Sequence, residues 1–280
     1  MKKVMIWLGA GLITLGVALF LAVSIFLNFD YTRLQSMKYT TNSYEITQQF
    51  HSVDLDTITA DIKFLRSEDG KCRVICFERE KVSHDVSVKD GTLVISAVDN
   101  RNWLDHLSII NLETPTVTVY LPEGEYQALK VKNTTGDVKV CGDFVLDSLS
   151  LETTTGDVCA EGMICKGDLF VHVTTGDTYF ENISCKNLNL NGSTGKTALK
   201  NVIASGDFRI HRTTGDIKLD QCDANNLYID ATTGSVKGTL LTPKVIFAKS
   251  TTGDVDVPKY TTGGRCEINT TTGDICINIP

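Results

Sequence analysis

The tetrad Thr-Thr-Gly-Asp returns through the second half of the chain at an almost fixed interval. Its glycine position falls at Gly136, Gly156, Gly176, Gly195, Gly215, Gly234, Gly253 and Gly273, in steps of 20, 20, 19, 20, 19, 19 and 20 residues. A period of this length marks stacked repeats, each too small to bury its own apolar face. Apolar residues keep step with the glycines. Two positions after them stand Val138, Val158, Ile217, Val236, Val255 and Ile275, with Thr178 and Thr197 in the same place. Five before them stand Val131, Leu151, Val171, Leu190, Ile210, Ile229, Ala248 and Ile268. Polar residues such as Lys139, Lys218, Glu152 and Asp230 lie between. Apolar-polar alternation on both sides of a turn predicts half-buried strands. The expected fold is all-β, a single-stranded β-solenoid of ~20-residue repeats stacked about 4.8 Å apart. Glycine supplies the positive φ of a tight turn. The Asp carboxylate is expected to take an N–H of its own turn, and the threonines favour extended backbone.

Val4 to Leu27 is an apolar run without a charge, longer than the roughly 20 residues that cross a bilayer. Residues 4–28 are therefore expected to be a transmembrane helix. Lys2 and Lys3 in front of it keep residues 1–3 in the cytoplasm. The rival is a cleaved signal peptide ending near Ala22-Val23-Ser24, but Ile25-Phe26-Leu27 carry the run onward and the apolar region is too long. The expected location is the cell membrane, single-pass, with the C-terminal domain extracytoplasmic. Residues 29–45 read as a stalk, 46–130 as degenerate β rungs or a cap, and 131–280 as the Thr-Thr-Gly-Asp repeat region. Ile58 to Phe64 resembles one repeat with Ala60 in the glycine place. Asn100 to Leu112, with Trp103 and His106, breaks the pattern and reads as a loop or short helix over the cap.

A net charge of −7 without a basic patch argues against nucleic acid as partner. No Gly-x-Ser-x-Gly elbow, phosphate-binding loop or His-Glu-x-x-His is present, so the chain is not expected to be an enzyme, and no cofactor is expected. The weak metal candidate is the row Asp137, Asp157, Asp177, Asp216, Asp254 and Asp274. It offers one Asp per turn where calcium takes six to eight oxygens, and Lys196 and Ser235 interrupt it. His172 and His211 share an offset two repeats apart, about 9.6 Å, too far to meet on one metal. Nine cysteines include Cys165 and Cys185 at one offset in adjacent repeats, a candidate disulfide pair. Candidate outward contact residues are Lys139, Tyr179, Lys218, Lys237, Phe170, Tyr228 and Phe247.

The N-terminal membrane helix, the opening between Phe50 and Phe64 and the recurring Thr-Thr-Gly-Asp strands resemble the DUF4097 family of β-strand-repeat, "toast-rack" or putative adhesin proteins of bacterial envelopes. The resemblance covers residues 46–280. It implies an extracytoplasmic β-solenoid, often associated with envelope-stress modules, and no catalytic residue comes with it. The leading expectation is a non-catalytic, adhesin-like scaffold that meets the bilayer through residues 4–28 and a cell-wall polymer or envelope protein through its faces. The alternative is an envelope-stress sensing or regulatory component, which would need a membrane partner. A glycan-active enzyme ranks third.

Overall fold

A computed structural model of the chain describes residues 2–26, 29, 38–101 and 113–279. Trp103 and His106 lie outside them, as does most of the expected stalk. The chain divides into two compact units, Met1–Tyr39 with Arg101–Thr114, and Thr40–Asn100 with Pro115–Pro280.

The first unit carries the helix α1 (Lys2–Phe26). Its window Gly9–Phe26 has a mean hydropathy of 2.3, long and apolar enough to cross a membrane. Within the apolar run Thr14 returns its hydroxyl to the Gly11 carbonyl at 2.9 Å and Ser24 to the Phe20 carbonyl at 2.7 Å, which satisfies both polar groups locally.

The second unit is all β. Its first strands are β1 (Tyr39–Ile46), β2 (Ser52–Thr59), β3 (Asp61–Arg66), β4 (Cys72–Arg79), β5 (Val82–Lys89), β6 (Thr92–Asp99) and β7 (Thr116–Leu121). The repeat region supplies β8 (Glu125–Thr135), β9 (Val138–Thr155), β10 (Val158–Thr175), β11 (Thr178–Thr194), β12 (Thr197–Ala204), β13 (Asp207–Thr214) and β14 (Ile217–Cys222). It closes with β15 (Asn226–Thr233), β16 (Val236–Leu240), β17 (Lys244–Thr252), β18 (Val255–Asp256), β19 (Gly264–Thr272) and β20 (Ile275–Asn278).

A rung is the strand before a turn glycine together with the strand after it. Successive rungs pair in parallel at the repeat offset, Val158 with Thr178 and Val171 with Leu190, for example. Inward side chains therefore form columns. Val131, Leu151, Val171, Leu190, Ile210, Ile229 and Ile268 are at most 2% exposed, each contributing ~1.5–3 kcal/mol by burial. The rung Ser52–Arg66 joins this stack. Leu55 pairs with Val131 and Phe64 with Val140, so the 130/131 division falls inside a continuous sheet.

Two departures limit the expected regularity. β4 and β5 run antiparallel to β7 and β6. The Asp90-Gly91 turn between β5 and β6 has positive φ at both residues, 49° and 72°, the type I′ hairpin geometry. At the other end the stacking order leaves the chain order. β19 lies between β15 and β17, and β20 between β16 and β18. The last rung in sequence is thus internal, and 244–256 forms the edge. The chain is all-β with one N-terminal apolar helix, and these departures correct the expectation of a uniform single-stranded β-solenoid.

Candidate functional site

The Thr-Thr-Gly-Asp corners form a single column. Glycine is required there twice over. The column glycines have φ from +125° to +153°, a region closed to other residues. A Cβ built on Gly176 would also stand 2.0 Å from the Gly156 carbonyl oxygen, and the same contact recurs at 2.0–2.2 Å along the column down to Ala60 beneath Gly136.

The Asp side chains reach along the stack, not into their own turns. Asp137 Oδ1 accepts the Asp157 N–H at 2.9 Å, Asp157 accepts that of Asp177 at 2.7 Å, and Asp177 accepts that of Lys196 at 2.7 Å. Asp216 accepts the Ser235 N–H at 2.9 Å and Asp274 that of Asp254 at 3.1 Å. This corrects the expectation of an own-turn bond: the carboxylate binds one rung to the next. Ser235 sustains the ladder because its Oγ faces the Asp274 N–H at 3.2 Å. An Asp with one oxygen committed to the ladder keeps at most one for any cation, and at Asp177 that one accepts from Tyr179, against the six to eight calcium takes. Burial alone would raise the Asp177 carboxyl, but hydrogen bonds from Tyr179 and the Lys196 N–H, helped by Lys196 and Arg212, hold it below the usual range.

A second polar column, missed in the sequence, lies inside. Three residues before the glycines, three inward side chains donate to the carbonyl at the glycine place of the rung below: Ser250 to Gly273 at 2.8 Å, Thr270 to Gly234 at 3.1 Å, and Asn133 to Ala60 at 2.9 Å. The signal was a polar residue at an inward position. Arg212 is the extreme case, fully buried. Its Nε donates to Thr197 Oγ1 at 2.8 Å and its Nη2 to Thr178 Oγ1 at 2.7 Å. Burial lowers its pKa. The surrounding rungs are adapted to it. Thr178 and Thr197 replace the Val or Ile usual at that offset, and Gly192 leaves room, since a Cβ there would lie 2.1 Å from Nη1. Arg212→Val alone strands two buried hydroxyls and is expected to cost ~2–4 kcal/mol. Adding Thr178→Val and Thr197→Val is expected to restore most of it in chemical denaturation. Additive losses would contradict this coupling.

The tightest chemical cluster sits among the antiparallel strands. The ligand atoms of Cys76, Glu78 and His84 lie within 4.8 Å of one another, all buried. His84 Nδ1 donates to Glu78 Oε2 at 2.8 Å, and Nε2 meets the Thr57 hydroxyl at 2.8 Å. Glu78 also accepts the His84 N–H at 2.8 Å and the Asn42 amide at 2.6 Å. The hydroxyl–imidazole–carboxylate connectivity is that of an activated nucleophile. However, Thr57, His84 and Glu78 are 3%, 4% and 1% exposed, which leaves the hydroxyl closed to substrate. A tetrahedral zinc would hold N and O about 3.3 Å apart, wider than this hydrogen bond. The cluster ties β1, β2, β4 and β5 together.

Outside, Lys139, Cys159, Tyr179, Ala198, Lys218 and Lys237 stand in one register column. Small Ala198 leaves a groove of 260 Å³ whose walls include Tyr179, Lys200, Lys218 and Asp220. Tyr179 is 41% exposed, its hydroxyl donating to Asp177 Oδ2 at 2.6 Å; this bond, with burial and nearby carboxylates, pushes its pKa up to about 12. Phe170, Tyr228 and Phe247 share another column, interrupted by Asn189, Arg209 and Glu267. Arg209 lies over the Tyr228 ring at 4.4 Å and Arg265 over Phe247 at 4.8 Å. His172 and His211 are exposed on either side of Asn191.

Cys165 and Cys185 are register partners, both buried and both free thiols. Burial pushes Cys72, Cys76, Cys185 and Cys266 up to about 12 and Cys222 to about 11. Thiolate is the reactive form, so folded protein at pH 8 is expected to alkylate only at half-buried Cys141, Cys159 and Cys276. Unfolding should release the other six; a count of four would reveal a Cys165–Cys185 disulfide.

The Toastrack DUF4097 family model matches residues 50–280. Among solved structures the chain is similar to a "putative adhesin" from Bacteroides fragilis NCTC 9343, at 18% identity and a TM-score of 0.54, over 87% of this chain and 99% of that one. It is also similar to a "putative adhesin" from Parabacteroides distasonis ATCC 8503, at 13% identity and 0.42, over 86% and 98%. A "putative cell adhesion protein" from Clostridium sporogenes ATCC 15579 matches at 16% and 0.27, over 88% and 100%. At 18% identity the first likeness is one of fold alone. No curated protein matches the sequence.

Proposed function

The chain belongs to the Toastrack DUF4097 family, and on that premise we propose that it is a non-catalytic, adhesin-like display scaffold of a bacterial envelope. Helix α1 anchors it in the cell membrane, and the β region stands outside as a stack that works as a β-solenoid over residues 131–280. Its occupants are a wall polymer or an envelope protein. The observation that carries this reading is the division of labour within the repeat. The Thr-Thr-Gly-Asp residues are engaged in rung-to-rung contacts, while the variable outward positions build the groove beside Tyr179. An aromatic ring flanked by lysines and carboxylates suits polar, extended ligands that combine stacking with charge.

The experiment is capture from solubilised envelope by the full chain in detergent, with a Tyr179→Ala, Lys218→Ala variant as control. A defined polymer or protein held by the wild type and released by the variant supports the reading. Equal capture by both, or none, removes the groove from it.

A further inference from the structure

The stack is open at the end formed by β17 and β18. β17 and β18 pair only with β19 and β20 among the described residues. Their inward side chains, sealed in every earlier rung, are left partly uncovered. Ile246, Ala248 and Val257 are half-buried and Val255 is 43% exposed. The equivalent residues one rung below, Cys266, Ile268, Ile275 and Ile277, are at most 1% exposed.

The polar groups of this edge are equally defined. At each interior corner the glycine N–H donates to the next rung's threonine carbonyl, as Gly273 does to Thr252 at 2.9 Å. The residue two further on donates to the carbonyl at the next Asp place, as Ile275 does to Asp254 at 2.8 Å. The Asp carboxylate accepts the next rung's N–H, as Asp274 does from Asp254. At the edge the same three groups, the Gly253 and Val255 N–H and the Asp254 carboxylate, point beyond the last strand. Two donors flanking one acceptor complement an extended backbone offering carbonyl, N–H, carbonyl. The occupant must also have glycine over Gly253, because a Cβ in this column meets the glycine carbonyl below at 2.0–2.2 Å.

We infer that the 244–256 edge is a docking site for an extended polypeptide segment of a partner, which adds in parallel as one more rung and carries glycine at the corner. The segment continues an interface already repeated along the chain. Its pattern is read from the rungs: apolar residues seven and five before the glycine and two after it. Strand addition of this kind draws affinity from main-chain hydrogen bonds and specificity from alternate side chains. The site is independent of the lateral groove.

The test uses the full chain in detergent and a fluorescent peptide copying residues 244–257, read by anisotropy. Saturable binding is expected. Gly253→Ala in the peptide should weaken it at least tenfold. Val255→Pro in the protein removes one outward N–H while the Asp254 carbonyl still accepts from Ile275, a change edge strands tolerate; it too should weaken binding at least tenfold with an unchanged thermal midpoint. No saturable binding, or equal binding of the glycine and alanine peptides, overturns the inference even if Val255→Pro fails to fold. So does sedimentation showing a wild-type dimer that Val255→Pro dissociates, since a second copy would then own the edge.

Discussion

Gly195→Ala is expected to lower the unfolding free energy of the β region by about 3–5 kcal/mol, of a total on the order of 5–15 kcal/mol. Two separate costs add. The backbone there has φ +130°, and holding a non-glycine residue in such a region costs about 1–3 kcal/mol. The new Cβ would also stand 2.0 Å from the Gly176 oxygen and 3.0 Å from Asp177 Oδ1. Relieving that contact means spreading two rungs, and overpacking of this kind costs about 1–3 kcal/mol. Gly70→Ala separates the two costs. Gly70 has φ +71° with nothing within 4 Å of an added Cβ, so only the conformational cost, about 1–2 kcal/mol, applies. Chemical denaturation of both variants checks this. Equal losses would mean that the corner glycines serve the turn alone and not the stacking of rungs.

Removing residues 264–280 is expected to undo two rungs, not one. In chain order this segment is the last repeat and looks dispensable. In the structure it is the layer between 226–240 and 244–256. Its loss uncovers Leu227, Ile229 and Val236, all fully buried in the intact chain, and deprives β17 and β18 of their hydrogen-bonding partners. At ~1.5–3 kcal/mol for each large apolar side chain returned to water, the shortened protein is expected to aggregate or melt far below the intact one. Hydrogen exchange gives the sharper reading. Amides of residues 244–252 should lose all protection in the shortened chain. Retained protection there would mean that 244–256 stacks directly on 226–240.

The parallel stack was legible because its causes are periodic. Glycine spacing, the inward columns and the identity of the turns all repeat, and Ala60 betrayed the earliest rung by standing in the glycine place. The stacking order was not legible, since Gly253 and Gly273 sit in near-identical surroundings and either repeat can satisfy the same ladder. The aim of the Asp carboxylates was misjudged because a turn motif suggests a local bond, whereas the acceptor lies one repeat away. Arg212 and the residues in line with it were not legible because their offset mixes Asn133, Thr153, Val173, Gly192, Ala231, Ser250 and Thr270 without a common chemistry, although a polar residue at an inward position is the signal for buried partners. The Glu78–His84–Thr57 network joins Thr57, on the Ser52–Arg66 rung, to β4 and β5, which do not follow the repeat, so no spacing could bring its members together.

The proposed scaffold role requires the β region to stand outside a membrane on an uncleaved α1, and labelling in intact cells reads this. Cells expressing the full chain are treated with a membrane-impermeant maleimide, which finds the half-buried Cys141, Cys159 and Cys276 wherever the β region is accessible. Labelled chain of undiminished mass is expected in the membrane fraction, resistant to alkaline carbonate. Labelling only after lysis, or a shortened chain released into the soluble fraction, would contradict that role.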